Sequence, residues 1–304
     1  MRLRLFNLKY FTLNKKAIYA IIICAILAGS NGLLIKSMTS LTTGTIAWFR
    51  AAIPIFILIP FLIKDRELHI KGNNKRMLLA SLINAARMYL YLLAYIYTTI
   101  GNSVVLFYTY PIFVTAIEAV FYKQRIERKQ TLLLLLAFTG IVITYIGKPF
   151  SFQSNDFVGM LAAVGAAVGY AITVVLFKAE NERYSKNQMI FYQNIVGAIV
   201  FIPFLTNLPN ASLSDLGIGV FYGLLIGIVV FKLFFFGLKQ LSAATATTLM
   251  YLEVVSAILL GYFVLDEAIT WNIILGGILI VTSSYFISRM NKNAHRKELE
   301  DASL

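Results

Sequence analysis

Cysteine and histidine are nearly missing from this chain of 304 residues, which has one cysteine, Cys24, and two histidines, His69 and His295. A single cysteine excludes a disulfide framework, a zinc cluster and a CxxC redox pair. Both histidines sit in polar, charged stretches, which leaves none for a metal site in the apolar part, so neither a metal nor another cofactor is expected. Charge is scarce too: 13% of residues are charged, against roughly 25% in a soluble domain. Apolar residues make up 59% and mean hydropathy is +0.76. No single soluble core hides that excess, which rules out a soluble enzyme and a disordered scaffold. An all-α, multi-pass integral membrane protein remains, with the lipid bilayer as its standing partner.

The 27 Lys and Arg outnumber the 14 Asp and Glu, for a net charge of +13. A basic chain attracts phosphates, but here the cations stand in short clusters between long apolar runs, so no nucleic-acid partner is expected. A helix crossing a ~30 Å hydrocarbon layer needs about 20 apolar residues. That length predicts ten spans: Ala17–Ile35, Thr43–Ile63, Met77–Tyr97, Ser103–Tyr122, Gln130–Gly147, Phe157–Phe177, Gln188–Leu205, Leu216–Gly237, Ala243–Leu265 and Trp271–Ser288. Cytoplasmic loops attract Lys and Arg. With both termini in the cytoplasm, the only cations off that side are Lys36 and Lys148 outside and Arg50, Arg87 and Lys232 within spans. Residues 1–16 then form a basic cytoplasmic N-terminus and 290–304 a cytoplasmic tail.

The two halves repeat. A shift of 142 residues lays Gly101–Ile126 (GNSVVLFYTYPIFVTAIEAVFYKQRI) on Ala243–Ala268 (AATATTLMYLEVVSAILLGYFVLDEA) and Lys36 on Lys178. A shift of 143 lays Trp48–Pro60 on Phe191–Pro203. Five spans per half is an odd number, so the second half enters the membrane from the opposite side, making an inverted repeat of 17–147 and 157–289.

The stretches IAWFRAAIP, GNSVVLFYTYPIF and SAATATTLMYLEVVSAILLGYFVLDEAITWNIILGGILIV carry a resemblance to the EamA-type carriers of the drug/metabolite transporter superfamily. It covers roughly residues 17–289. Arg125 stands in the first half where Glu267 stands in the second, a departure from the first-repeat motif. The resemblance implies a ten-helix bundle with a central cavity between the halves. It also implies alternating-access transport of small organic metabolites.

An ionisable group in hydrocarbon costs ~2.5–3.5 kcal/mol on insertion scales, so such residues usually face a cavity and serve function. Arg50, Arg87, Glu118, Lys232 and Glu253 qualify by position. Arg87 and Glu253 lie near the midplane and Arg50 nearer the outer face. Glu118 and Lys232 lie close enough to the cytoplasmic ends to reach water or pair with a loop. The excess of cations favours a substrate with a carboxylate or phosphate, which guanidinium binds bidentately. The simplest such cargo is an amino acid or a derivative. Glu253 and Glu118 are also candidates for proton coupling, since a carboxyl held away from water can exchange protons during a cycle.

Aromatic and polar residues complete the expected cavity wall: Trp48, Tyr91, Tyr108, Tyr110, Tyr170, Tyr192, Gln193 and Asn31. Tyr89, Tyr95 and Tyr251 stand at similar depth. Asn31 and Asn84 either face the cavity or bridge helices. A carboxylate clamp beside an aromatic cage would also suit S-adenosylmethionine, whose carriers occur in this family with a similar span 9. Glycines in GMLAAVGAAVG (Gly159–Gly169) predict close helix contact, and Pro54 and Pro111 predict bends.

Intramembrane hydrolysis needs paired aspartates, a Ser–His pair or a metal motif, and the spans contain neither Asp nor His, so no enzyme is expected. A channel or a non-transporting membrane protein is the alternative of another class. An internal inverted repeat in one chain fits a carrier acting as a monomer. Abundant Ile, Lys, Asn, Phe and Tyr point to an AT-rich bacterial genome and its inner membrane.

Overall fold

The computed structural model describes residues 2–66, 72–98, 100–123, 127–147, 154–266 and 268–301. His69, Arg125, Lys148 and Glu267 lie outside the described residues, as do the side chains of 2–14, Tyr95 and 291–301 with His295. The described residues are helical almost throughout and contain no strand.

Span 1 comprises α1 (Arg2–Ala28) and α2 (Asn31–Ser37), span 2 α3 (Thr43–Lys64) and span 3 α4 (Asn74–Tyr97). Span 4 comprises α5 (Ile100–Phe107) and α6 (Tyr110–Phe121), and span 5 is α7 (Arg128–Thr144). The second half runs α8 (Ser154–Glu180), then α9 (Lys186–Val200) with a 3-10 turn over Ile202–Asn210. Span 8 is α10 (Leu213–Tyr222), a π-helical stretch Gly223–Val230 and α11 (Phe231–Gln240). Span 9 is α12 (Ala243–Leu249) with α13 (Leu252–Leu265), and span 10 lies in α14 (Trp271–Asp301). Among the described residues, eight stretches are long and apolar enough to cross a bilayer; α7 and α9, at 17 and 15 residues, fall short.

Side-chain caps start many of these helices, because the first N–H groups of a helix have no partner within it. Thr42, Asn73, Ser212 and Ser242 each accept the backbone N–H three residues on, and Ser185 with Gln188 forms a reciprocal capping box. Thr42 and Ser185 occupy equivalent places in the two repeats, as do Asn73 and Ser212.

Packing follows the repeat. The helix of span 3 lies along span 6 (α4 on α8), and span 1 lies along span 8 (α1 on α11). These pairs exchange when each half is mapped onto the other. Spans 2 and 7, 4 and 9, and 5 and 10 also pair, and each such pair maps onto itself. A pseudo-two-fold arrangement of the two halves results. Spans 5 and 10 cross where a Cβ on Gly140 would lie 2.7 Å from the Gly276 carbonyl, so only glycine fits.

Spans 4 and 9 break at equivalent points, over Tyr108–Thr109 and Met250–Tyr251. Pro111 therefore lies in the first turn of α6, where a missing N–H costs nothing, rather than bending a continuous helix. The Tyr251 hydroxyl donates to the Tyr108 carbonyl at 2.8 Å, joining the two breaks near the centre of the molecule. Outside this core, large apolar side chains such as Phe56, Leu132, Phe157 and Phe263 are exposed. Tyr89 is also on that surface, 46% exposed, rather than in the interior that its depth in span 3 predicts.

Candidate functional site

A cavity opens between the halves, lined from spans 1, 2, 3, 4, 6, 8 and 9. About 130 Å³ of it is open to the centres of water-sized spheres, room for roughly ten waters at ~10–15 Å³ each by that measure. Its wall reaches Asn31, Ile35 and Thr43 at one end. Toward the end that carries the basic loops it stops at Phe234 and Met250.

Eight of the residues expected on its wall are there: Asn31, Arg50, Arg87, Tyr91, Tyr108, Tyr110, Tyr170 and Glu253. Packing accounts for Arg87. Its helix α4 lies against the small-residue stripe of α8, and a Cβ on Gly169 would fall 2.9 Å from Arg87 Cβ. Arg87 is 5% exposed, its Nε donates to Asn84 Oδ1 at 3.0 Å, and its Cζ lies 4.3 Å over the Tyr170 ring. Guanidinium over a ring face is held by the ring's quadrupole. Asn84 in turn donates to the Gln193 carbonyl at 2.8 Å, so this asparagine bridges helices and holds the arginine.

Arg50 sits 5.4 Å over the Phe231 ring, and its buried Nε has no hydrogen-bond partner among the described residues. Arg50 is close enough to repel Arg87 and to attract Glu253. Glu253 takes a hydrogen bond from the Tyr108 side chain, and among the described residues no cation stands within 4 Å of it. Phe107 stacks on Tyr170 at 5.9 Å and 22°, with Tyr91 and Tyr110 packed around them at 4.7 and 4.8 Å. The Tyr222 hydroxyl donates to Asn31 Oδ1 at 2.7 Å. Asn31 thus both faces the cavity and bridges helices.

Five other expected residues lie off the wall. Trp48 packs edge-on against Phe49 and Phe56. Tyr192 is only two turns into α9, so its hydroxyl meets Asn74 at the basic end. Gln193 is buried beside Asn84. Lys232 points outward from α11, whose buried face is Phe231, Phe234, Phe235 and Leu238. The buried carboxylate of Glu118 accepts the N–H groups of Ala243 and Ala244, both at 2.7 Å, and so caps α12 from across the repeat boundary. Charge at that depth served as a signal for a cavity residue, but it cannot tell a wall residue from a helix cap.

Phe107, Phe231, Phe234, Met250, Met88 and Cys24 belong to the apolar part of the wall. Nothing in a uniformly apolar span marks such residues beforehand. The π-helical stretch contributes Ile226 and Val230, and the Val230 carbonyl accepts from Cys24 Sγ at 3.3 Å.

The basic end is sealed by polar links. Lys178 Nζ donates to the carbonyls of Leu238 and Leu241 at 2.6 and 2.8 Å, placing its charge on the C-terminus of α11. Asn181 donates to the Phe235 carbonyl at 2.9 Å. The buried carboxylate of Glu180 takes Arg76 at 2.6 Å and the Asn73 N–H at 3.2 Å. Beside it, burial pushes the Tyr184 phenol up to about 12, with the Tyr192 ring and the Glu180 charge adding to the effect. The neutral phenol donates to Asn74 Oδ1 at 2.7 Å.

Comparison with known proteins gives the family and the fold. The EamA-like transporter family model matches residues 15–146 and 157–289. An uncharacterized transporter of Archaeoglobus fulgidus is 25% identical over 86% of this chain and 92% of its own length. The pseudopaline exporter of Pseudomonas aeruginosa is 29% identical over 86% of this chain and 92% of its own. An S-adenosylmethionine uptake transporter of Rickettsia bellii is 24% identical over 86% and 89%. A solved crystal structure at 15% identity superposes with a TM-score of 0.75, covering 94% of this chain and 98% of the other, a likeness of fold.

Proposed function

This chain belongs to the EamA-like transporter family and is a multi-pass membrane transporter, and from that premise we propose that it carries a small carboxylate-bearing metabolite across a bacterial inner membrane by alternating access. The observation that carries the reading is the meeting of Arg50 and Arg87 in one cavity where, among the described residues, Glu253 is the one carboxylate. Two guanidinium groups and one carboxylate leave an excess positive charge, and planar guanidinium matches carboxylate geometry.

In this reading α7 and α9 also span the bilayer, α9 with the help of its 3-10 extension, giving ten crossings. The divisions at 17–147 and 157–289 are the two functional repeats. The basic loops face the cytoplasm with both termini, and the chain works as a monomer. A cavity that reaches Thr43 and ends at Phe234 supports an outward-facing carrier rather than a continuous channel. Proton exchange in this reading falls to Glu253, supported by its position on the wall, while Glu118 caps a helix.

The test is counterflow of labelled amino acids in proteoliposomes, which a channel or a non-transporting protein does not support. Arg87→Ala and Arg50→Ala should each abolish it; uptake of every carboxylate unchanged in both variants would refute the reading. A second cargo, S-adenosylmethionine, is favoured by the aromatic side chains on the cavity wall, Tyr91, Phe107, Tyr108 and Tyr170, which suit a purine. The Rickettsia bellii relative named for that metabolite supports it. Competition by S-adenosylmethionine against amino acids decides between the two.

A further inference from the structure

The proposed carrier function leaves open how many charges the cargo bears, and the inference rests on that reading. The cavity holds three charged side chains, and none of them forms an ion pair among the described residues. Arg87 is held by Nε on Asn84 and by its π face on Tyr170, two neutral groups that leave its charge in place. Arg50 has a buried Nε with no hydrogen-bond partner among the described residues. Glu253 has the Tyr108 hydroxyl but, among the described residues, no cation in contact. Lys232 is exposed and Glu118 is occupied by α12, so neither enters the balance.

One carboxylate cannot complete this set. A bidentate acid saturates one fork, which leaves the other arginine without an anion and Glu253 without a cation; buried charges left unpaired are the costly ones. Arg50 lines the same cavity as Arg87 and Glu253 and is close enough to feel both charges. An α-carboxylate on Arg50 would therefore set the neighbouring ammonium toward Glu253. A second acid, further along the same molecule, would reach Arg87. The room for roughly ten waters accommodates a solute of that size.

We propose that the cargo carries two acidic groups and one amine, an amino-dicarboxylate of net charge −1 that neutralises Arg50, Arg87 and Glu253 together.

The experiment measures binding to the purified full-length protein by thermal shift and calorimetry. The probes are L-aspartate, L-glutamate and L-2-aminoadipate, with L-glutamine (second acid neutralised) and glutarate (amine removed) as comparators. At least one amino-dicarboxylate should bind about 10–100-fold more tightly than both comparators, the size expected for a lost charge-assisted contact. Arg87→Gln should erase the preference over glutamine while keeping that over glutarate, and Glu253→Gln should do the reverse. Arg87→Lys should restore part of the first preference, and melting points of the ligand-free variants check their folding. Glutamine or glutarate binding as tightly as the amino-dicarboxylates would overturn the charge count while leaving a carboxylate carrier intact. If no carboxylate binds, both readings fall.

Discussion

Lys178 offers the sharpest test of how the basic end is held shut. Its ammonium bonds the carbonyls of Leu238 and Leu241 at 2.6 and 2.8 Å, tying span 6 to the end of span 8. Neither bond survives separation of α8 from α11 at that end. Hydrogen bonds to a charged group contribute roughly 1.5–3 kcal/mol each. Lys178 is only partly buried, so water replaces part of that on opening, and about 2 kcal/mol for the pair is the working figure. Lys178→Met keeps most of the unbranched stem and removes the bonds. The balance between the two end states should then move by about 30-fold toward opening at the basic end. The assay is labelling of Met250→Cys, on the cavity wall, by an impermeant maleimide in inside-out vesicles, in a Cys24→Ser background. A labelling rate unchanged by Lys178→Met, in protein of unchanged melting point, would mean that this link does not hold the basic end closed.

Gly169→Val should drive methyl groups into Arg87, whose Cβ stands 2.9 Å from where a Cβ on Gly169 would lie, displacing the arginine and abolishing counterflow. Gly169→Ala should cost about tenfold in affinity, read by the same calorimetry. Glu118→Ala removes two acceptors from buried N–H groups, so the melting point should fall with a loss of about 2–4 kcal/mol, while any response to a pH gradient persists. Glu253→Gln should do the opposite, removing gradient dependence in proteoliposomes while leaving some exchange and little change in stability.

Membrane class, repeat and family were legible because they depend on long runs and on internal alignment, both of which average over many residues. The charges were legible singly: Arg50, Arg87 and Glu253 stand out against hydrocarbon, and all three reach the cavity. Orientation about the helix axis was not. Tyr89 and Tyr91 differ by two positions, yet one faces the outer surface and the other the cavity, because residues two apart on a helix point to different sides. Glu118 and Lys232 show the same limit, since depth is set by position in a span while bonding partners come from helices distant in sequence. The apolar wall residues, Phe231 and Phe234 among them, have no contrast with their neighbours in FKLFFFG. The short lengths of α7 and α9 follow from where caps and turns fall, which hydropathy does not register.

The breaks in spans 4 and 9 meet through one bond given by one side only. Tyr251 supplies the hydroxyl, whereas Thr109, the residue at the matching place, turns its own to the Leu106 carbonyl at 2.6 Å. In the proposed alternating-access carrier, two identical copies back to back would weigh both orientations equally, and unlike partners where the breaks meet would remove that degeneracy before any gradient or cargo acts.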